Sequence, residues 1–287
     1  MERVSVIIPA YNAANFIEET VDSALAQTHH DLEVIVVNDG STDDTGDRLR
    51  RYGSRIQVLE LANGGVSRAR NEGVAVATGS WLAFLDADDL WAPTKLEQQL
   101  THRDAPWCFT DRYNMGAYGA LPKRYSESIP MRGGDIFEAL MLDGNFITLS
   151  TVLLRRSVFE ESSGFFPELH GTADFDLWLR IAERHPIAFC PEPLVSYRFH
   201  PGGMSNNYLK MGRERHQVIT RALALDRGRR LDWRTKRRIR ATTWETNADD
   251  ARRAGARGQA LTDLARAVAV WPFRIPLRHA IKVCLDV

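Results

Sequence analysis

Three aspartates lie within four residues, at Asp86, Asp88 and Asp89, directly after an apolar run that begins at Trp81. Carboxylates this close repel one another, and a bound cation would remove that cost. The cluster therefore predicts a cation site, and we favour a functional role for Asp88.

The elements that would position these residues form a repeating strand and helix pattern. Strand-like runs recur at intervals of roughly 25 residues, the length of a βα unit, and begin near Val4, Leu32, Ile56 and Trp81. Three of them are almost continuously apolar, as in parallel strands covered on both faces. The helical pattern between them is clearest in an apolar stripe at Ile17, Val21, Ala24 and Leu25. Together they predict an α/β fold, a Rossmann-like, doubly wound and mostly parallel sheet.

Each predicted strand ends in a polar cluster. The clusters are Pro9-Ala10-Tyr11-Asn12, Asn38-Asp39-Gly40-Ser41, Asn63-Gly64-Gly65 and Asp86-Ala87-Asp88-Asp89. Ligands of open parallel sheets bind outside the carboxyl ends of the strands, so we expect the clusters to line one crevice. Alternatively, Gly, Asn and Asp only form turns and cap helices, which accounts well for Asn63, Gly64 and Asp43. For Asn12 and Asn63 both interpretations stay open.

The second half of the chain carries two further features. Residues 104–130 are rich in Gly, Tyr and Pro with weak periodicity, which is typical of a variable loop region above the crevice. Residues 164–180 then lead into a helix with Asp174 at its start. Residues 187–190 and 194–199 have the pattern of two strands, and His200 follows the second.

Taken together, these motifs resemble the inverting glycosyltransferases of family 2, which have the GT-A fold. The resemblance covers roughly residues 3–205. A single pair of aspartates would be weak evidence, but six motifs in order make a specific signal. They are VSVIIPAYNA, VIVVNDGSTDDT, NGGVSRARNEG, WLAFLDADD, GTADFDLWLR and YRFHPGGMS.

The resemblance implies a nucleotide-sugar donor and the residues that bind it. Tyr11 beside Pro9 offers an aromatic, apolar wall for the base, and Asp39 can accept a hydrogen bond from a base N–H. Asp86 is the family's ribose-facing aspartate, whereas Asp88 holds a divalent cation, Mn²⁺ or Mg²⁺, on the diphosphate. The predicted donor-binding residues are Pro9, Tyr11, Asn12, Asp39, Arg70 and Asp86. His200 resembles the family histidine that reaches the same metal or the diphosphate, although a surface histidine is the alternative.

The resemblance also implies a general base, which removes the proton of the acceptor hydroxyl as its oxygen attacks the sugar. The family places this base second in a Glu-Asp pair, which corresponds here to Asp174. Ala173 replaces the usual acidic partner, so Asp176 or Glu168 remain alternatives. A helix cap is the structural alternative for Asp174 itself.

The charge is divided along a chain of 287 residues whose formal net charge is zero. Residues 1–206 contain 18 Lys and Arg against 29 Asp and Glu, and residues 207–287 contain 19 against 8. We therefore predict a catalytic domain over 1–206 and a basic helical extension over 207–287. The three cysteines, Cys108, Cys190 and Cys284, have no zinc or disulfide spacing. With no apparent signal peptide or membrane span, we expect a cytoplasmic protein.

The extension has two predicted apolar stripes, one at Leu261, Leu264, Ala265 and Val268 and one at Trp244, Ala248 and Ala251. Residues 271–287 predict a basic amphipathic helix. Such a helix can lie on the anionic inner face of the cytoplasmic membrane, or it can be the solvated face of a packed helix. We expect no nucleic acid as a partner, because the basic residues contain no recognised binding motif.

The leading hypothesis is therefore an inverting, metal-dependent hexosyltransferase that acts on a glycan or lipid-linked acceptor, for example in surface polysaccharide or glycoconjugate biosynthesis. The runner-up is a catalytically silent nucleotide-sugar-binding or scaffold protein, in which Ala173 marks decay. Asp86, Asp88 and His200 argue against that decay. A nucleotidyltransferase would usually have a Gly-rich basic loop after the first strand, which residues 9–16 lack.

Overall fold

A computed structural model describes residues 2–116, 123–200, 202–204 and 207–271. Within these ranges the strands are β1 (Val4–Ala10), β2 (Leu32–Asp39), β3 (Gln57–Leu61), β4 (Trp81–Phe84), β5 (Leu90–Trp91), β6 (Trp107–Met115), β7 (Lys123–Arg124), β8 (Val152–Arg155) and β9 (Ala188–Arg198). The helices of the first two thirds are α1 (Ile17–Leu25), α2 (Thr45–Arg50), α3 (Val66–Val76), α4 (Lys95–Leu100), α5 (Phe137–Asp143), α6 (Arg156–Glu161) and α7 (Ala173–Ala182). The C-terminal helices are α8 (Tyr208–Ala224), α9 (Asp226–Arg230), α10 (Trp233–Arg253) and α11 (Arg257–Val270).

One mixed sheet organises the described chain, in the order β3-β2-β1-β4-β8-β6-β9-β5, with β7 paired to β6. The first four strands are parallel to one another, and β6 is parallel to β9. Strand β8 runs antiparallel between β4 and β6. The predicted α/β fold with a mostly parallel sheet is confirmed, and the antiparallel β8 joins its two parallel parts.

The apolar strands are buried because helices cover both faces of the sheet. Along β1, Val6 and Ile8 belong to the core under α1, whereas Ile7 between them belongs to the core on the other face. In α1 the predicted stripe is buried at Ile17, Val21 and Ala24. Burial on both faces removes the polar alternation that a half-exposed strand would show.

The predicted loop region at residues 104–130 is wrong in its first part. Residues Trp107–Met115 form β6, an interior strand that pairs with both β8 and β9. The strand has an irregular sequence pattern because Thr110, Asp111 and Arg112 are buried polar residues. Polar residues at buried positions hide the apolar signal on which strand prediction depends.

The two strands predicted at residues 187–190 and 194–199 form the single strand β9. Its register against β6 shifts on both sides of Asp111, which is paired with Pro193. A proline has no N–H to donate to a sheet, so Pro191 and Pro193 fit a bulge better than a regular ladder. The bulge changes the direction of the strand just before it reaches the polar edge of the sheet.

The C-terminal helices share the core of the catalytic region. Val218 and Ile219 of α8 and Ile239 of α10 are buried in the same cluster as Trp178 of α7. Helix α8 begins one residue after the boundary predicted at 206/207, which stays a prediction. Within the described residues, no helix combines the length and the apolar character that crossing a membrane requires.

Only part of the predicted helical stripes is correct. Ala248 and Ala251 are buried and pack on Leu264 in a small separate core. Of the stripe predicted on α11, Leu264 is buried, whereas Leu261 and Val268 are 47% and 41% exposed and Ala265 is exposed as well. The alanine-rich α11 offers two similar faces, and the face with Ala260 and Ala267 is the buried one. The basic helix predicted at 271–287 lies outside the described residues apart from Trp271, and so does Cys284.

The cysteines of the described chain are buried thiols. Cys108 and Cys190 are both free. Burial raises the pKa of each thiol to about 12. A thiol with so high a pKa is a poor nucleophile and metal ligand at neutral pH, so these cysteines act as core residues.

Replacing Ile239 with alanine tests whether the helical extension and the sheet unfold as one unit. Ile239 is fully buried in the main core. We expect the variant to lose about 2–5 kcal/mol of unfolding free energy in a single transition. Leu261→Ala on α11 is the matched control and should change it by less than about 0.5 kcal/mol. Urea denaturation followed by tryptophan fluorescence measures the unfolding free energy of both variants. If Ile239→Ala left the main transition unchanged and produced a second transition at low urea, the extension would fold independently of the sheet.

Candidate active site

The first two strand ends are tied together through Asn12. Its carboxamide Oδ1 accepts a hydrogen bond from the Thr42 backbone N–H at 2.8 Å, and its own backbone N–H donates to Ser41 Oγ at 2.9 Å. Asn12 has a φ of 49°, a left-handed conformation that asparagine tolerates better than most residues. The turn interpretation of Asn12 thus has direct contacts, while a role in donor binding stays a prediction.

Asp39 ties the second strand end to the third. Its carboxylate accepts hydrogen bonds from the backbone N–H groups of Gly64 at 2.9 Å and Gly65 at 2.8 Å. Asp39 is buried, and so is Pro9, whereas Tyr11 is 53% exposed. Of these three predicted donor-binding side chains, Tyr11 is therefore the one that presents a surface at the strand edge.

Arg70 and Asp86 form a buried ion pair at the fourth strand end. Arg70 on α3 is 3% exposed, and its Nη2 donates to Asp86 Oδ1 at 2.7 Å. The arginine is also 5.3 Å from the Phe165 ring centre. A charge-assisted hydrogen bond from an arginine held this firmly fixes the direction of the neighbouring carboxylate. The structure thus brings together two residues that the sequence placed 16 positions apart.

Asp88 and His200 also meet, although they lie 112 positions apart in the sequence. His200 Nε2 lies 2.8 Å from Asp88 Oδ2, and their side chains are 19% and 29% exposed. Burial and the nearby Asp86 raise the pKa of Asp88, against the effect of His200. The contact places both predicted metal-ligating residues at one point of the surface.

Asp88 and His200 could together supply two ligands to a cation. Among the described residues there is no group of three or more His, Cys, Asp or Glu side chains that could hold a metal ion. A carboxylate oxygen and an imidazole nitrogen nevertheless fit Mn²⁺ or Mg²⁺, because these ions take many of their ligands from water and substrate phosphates. The two side chains present therefore fit such an ion if a diphosphate supplies the remaining ligands.

Asp89, which the sequence did not single out from its neighbours, has a structural task. It is fully buried, and its carboxylate accepts hydrogen bonds from Ser150 Oγ at 2.6 Å and the Arg198 backbone N–H at 3.0 Å. Burial and the charges of Asp88 and Asp86 raise its pKa well above the usual range. The third aspartate thus turns inward and joins the acidic segment to the end of β9.

Asp174 lies in the first turn of α7 and is partly buried. Its carboxylate accepts hydrogen bonds from Asn145 Nδ2 at 3.0 Å and from the Phe175 backbone N–H at 2.7 Å. Burial raises the pKa of this carboxyl to about 6, although Arg70 and both hydrogen bonds favour its ionised form. A carboxyl group with that pKa can accept a proton near neutral pH.

The alternatives to Asp174 are engaged elsewhere. Asp176 is buried in an ion pair with Arg180 at 2.8 Å, and Glu168 pairs with Arg221 at 2.6 Å. Neither residue lines the cavity described below. Ala173, the departure from the family pattern, is fully buried in the main core. An acidic side chain at that position would bury a charge, so alanine is well suited to this packing.

Two residues that support Asp174 were missed in the sequence. Asn145 comes from the segment after α5, and Glu214 comes from α8. Glu214 is 6% exposed and accepts hydrogen bonds from the backbone N–H groups of His170 and Thr172 and from Thr172 Oγ1, each at 3.2 Å. The available signal was a carboxylate on the apolar face of α8, four residues before Val218.

A cavity of about 400 Å³ lies beside these residues. Its wall includes Arg70, Asp86 and Asp174 together with residues of the C-terminal helices, among them Ile219 of α8 and Thr243 of α10. Asp88, His200 and Tyr11 are not among the described residues that line the cavity. The cavity therefore adjoins the acidic segment on the side of Asp174 and the C-terminal helices.

The described sheet and its polar edge define a GT-A glycosyltransferase fold, and solved structures are similar over almost the whole chain. TarS of S. aureus matches with a TM-score of 0.66 and 19% identity over 95% of this chain and 50% of that one. The mannosyltransferase PcManGT of Pyrobaculum calidifontis, in complex with GDP-Man and Mn²⁺, matches with a TM-score of 0.62 and 21% identity over 99% and 88%.

The chain belongs to glycosyl transferase family 2, whose model matches residues 5–162. It is 35% identical over 225 residues, 74% of this chain and 84% of the relative, to TuaG of Bacillus subtilis strain 168, provisionally named for teichuronic acid biosynthesis. It is 34% identical over 215 residues, 73% and 82%, to WfaP of Escherichia coli, named a UDP-Glc:α-D-GlcNAc-diphosphoundecaprenol β-1,3-glucosyltransferase. The chain spans 67% of an uncharacterized glycosyltransferase of Rickettsia prowazekii and 34% of one of Rickettsia felis.

The Asp174 carboxyl should titrate with a midpoint near 6, and Asn145→Ala should move that midpoint to higher pH. Asn145 donates a hydrogen bond that favours the ionised carboxylate, so its loss favours the protonated form. Carbon-13 NMR of labelled aspartate side chains measures the midpoint. Asp135, whose pKa the hydrogen bond from Arg227 keeps low, serves as an internal control. A midpoint near 4 in the wild type would contradict the assignment.

Proposed function

We propose that the protein is an inverting glycosyltransferase that moves a hexose from a nucleotide-sugar to a hydroxyl of a glycan or lipid-linked acceptor. The main supporting observation is the Asp174 carboxyl, with a pKa of about 6, in a cavity that also contains the Arg70–Asp86 pair. This reaction needs a base and a donor-binding pair next to a space that can admit the acceptor.

The donor lies, in this proposal, along the carboxyl edge of β1 to β4. Tyr11 covers the base, Asp39 and Asn12 shape the turns around the nucleoside, and Pro9 sets the path of β1 into that turn. Asp86 faces the ribose, with its direction fixed by Arg70. The similar structures include TarS complexes with UDP and UDP-GlcNAc and the PcManGT complex with GDP-Man, which supports a nucleotide-sugar donor without identifying it.

A divalent cation, Mn²⁺ or Mg²⁺, would be held by Asp88 and His200. When bound, it supplies positive charge for the leaving diphosphate. The 2.8 Å contact between the two side chains supports a shared role. Their partial exposure leaves room for the phosphate oxygens that would complete the coordination.

The transfer is a single displacement at the anomeric carbon of the sugar. The acceptor oxygen forms the new bond to C1, the bond from C1 to the diphosphate breaks, and Asp174 takes the hydroxyl proton. Attack from the face opposite the leaving group inverts the configuration. Asp174 must be ionised to act, so its pKa predicts that activity rises as the pH increases through about 6.

The acceptor would enter the cavity that the C-terminal helices help to form. Thr243 and Ile219 come from this extension, whereas Asp174 and Asp86 come from the catalytic region. WfaP is named for a lipid diphosphate acceptor, and this supports an acceptor of the same kind here. The silent-protein alternative has little support, since Asp174 keeps both its hydrogen-bonding partner and its place beside Asp86.

The N-cap of α7 is Thr172 rather than Asp174. Asp174→Asn tests the base, because asparagine keeps the shape of aspartate and can still accept the Phe175 N–H but has no carboxylate. We expect transfer to fall about 100-fold or more, while donor affinity and melting temperature stay close to wild type. The assay must contain the acceptor, since hydrolysis of the donor by water depends less on this base. Glu168→Gln is the matched control and should retain activity. A fully active Asp174→Asn enzyme would eliminate Asp174 as the base.

Asp88→Asn and His200→Ala should each weaken the Mn²⁺-dependent binding of a nucleoside diphosphate by about tenfold or more, the scale on which metal sites respond to lost support. Calorimetry with UDP and with GDP, in Mn²⁺ and then in EDTA, measures the effect. Asp47→Asn, an exposed residue of α2, is the control. Equal affinity in wild type and both variants would show that these side chains hold no cation.

A further inference from the structure

Arg112 on β6 lies in the wall of the same cavity as Asp174 and is only 6% exposed. Its guanidinium carbon is 4.0 Å from the centre of the Tyr125 ring and 4.1 Å from that of Tyr197. Its Nε and Nη1 atoms are buried and have no hydrogen-bond partner among the described residues. The side chain is thus a buried cation with unused donors.

Such a group is unfavourable unless something compensates it. Burying an ionised side chain without hydrogen bonds costs free energy, and contacts with two aromatic rings offset only part of that cost. Buried donors without partners are uncommon, and a missing ligand is one established reason for them. Arg112 also lines the cavity, so a ligand that enters the cavity lies next to this side chain. Its planar fork of N–H groups matches a carboxylate or a phosphate.

The fold fixes the positions of the two aromatic rings that contact Arg112. Asp111, fully buried, accepts hydrogen bonds from Ser126 Oγ at 2.6 Å and from the backbone N–H groups of Arg112 and Ser126 at 2.8 and 3.2 Å. This fixes the segment that carries Tyr125. Tyr197, which provides the second ring, follows the bulge in β9 opposite Asp111. Both aromatic walls are therefore positioned by the fold.

The other two described arginines of the cavity wall each pair with a carboxylate, although Arg70 Nε also has no hydrogen-bond partner among the described residues. Arg70 pairs with Asp86 at 2.7 Å, and Arg215 of α8 pairs with Asp250 at 2.8 Å. Methionine side chains from two elements, Met141 and Met211, also line the cavity. An anion entering this space would meet Arg112 in surroundings that are partly apolar, where a charge-assisted hydrogen bond is strong.

From these contacts, and resting on the proposed function, we infer that Arg112 with Tyr125 and Tyr197 forms an oxyanion subsite for the acceptor. The group it binds is a phosphate or a carboxylate that the acceptor carries. Two acceptor classes supply this chemistry: a sugar linked through a diphosphate to a lipid, and a glycan that contains a uronic acid. The subsite orients the acceptor while its hydroxyl reaches Asp174.

Binding of acceptor analogues in EDTA tests this inference. The probes are N-acetylglucosamine linked through a diphosphate to a short alkyl chain, methyl β-D-glucuronide, and the neutral methyl β-D-glucoside. We expect calorimetry to detect one of the two anionic probes on the wild type. Arg112→Gln should weaken that probe at least about tenfold, whereas Arg112→Lys should lose less. Arg124→Gln, an exposed arginine next to Tyr125, is the matched control and should bind like the wild type.

The outcome identifies the source of the anion. If only the diphosphate probe binds in an Arg112-dependent way, the acceptor carries a lipid diphosphate. If only the glucuronide does so, the acceptor carries a uronic acid. If neither probe binds the wild type, or if binding ignores Arg112, the inference is wrong. Tyr125→Leu, which keeps the charge but removes one ring, should also weaken binding and covers the case in which Arg112→Gln does not fold.

A separate measurement distinguishes this subsite from the donor site. Arg112→Gln should bind UDP or GDP with Mn²⁺ as the wild type does, and should raise the acceptor KM more than it lowers kcat. A tenfold loss of nucleotide affinity would place Arg112 in the donor site and overturn the inference. The binding assay needs no turnover, so anion binding without sugar transfer would contradict the proposed function and leave the subsite intact.

Discussion

The arrangement of the candidate site depends on one buried carboxylate, that of Asp89. Ser150 Oγ donates to it at 2.6 Å and accepts from the Asp86 backbone N–H at 3.2 Å. The Arg198 N–H, two residues before His200, binds its other oxygen at 3.0 Å. One inward aspartate thus fixes the direction of the acidic segment and the end of β9. Asp88 and Asp86 act on Asp89 in turn, since burial and then their two charges raise its pKa.

Arg70 extends this order to Asp174. It pairs with Asp86, and its positive charge favours the ionised form of Asp174, while Asp86 opposes it. The balance leaves the carboxyl of Asp174 with a pKa of about 6 rather than at the higher value that burial alone would give. Asp86 and Asp174 therefore both interact with the charge of Arg70, and a change in either carboxylate alters the electrostatics of the other.

The sequence predicted the βα half of the sheet well because strands buried on both faces have long apolar runs. It also placed Asp88 and His200 at strand ends, and the structure brings them into contact. It missed β6, whose buried Asp111 and Arg112 break the apolar pattern. It could not show Asn145 and Glu214 as partners of the α7 segment, because those contacts join residues 29 to 44 positions apart. Local sequence patterns do not reveal contacts between residues so far apart.

The family match ends at residue 162, before Asp174, and the support for the α7 segment comes from Glu214 in the C-terminal helices. The strand-end motifs and the C-terminal helices thus lie in separate parts of the sequence. Substitutions in α8 and α10 can reshape the cavity while the strand-end motifs stay the same. A chimera that exchanges the helices after residue 206 would keep the α7 segment in place only if the incoming helix also offers a carboxylate to the Thr172 backbone.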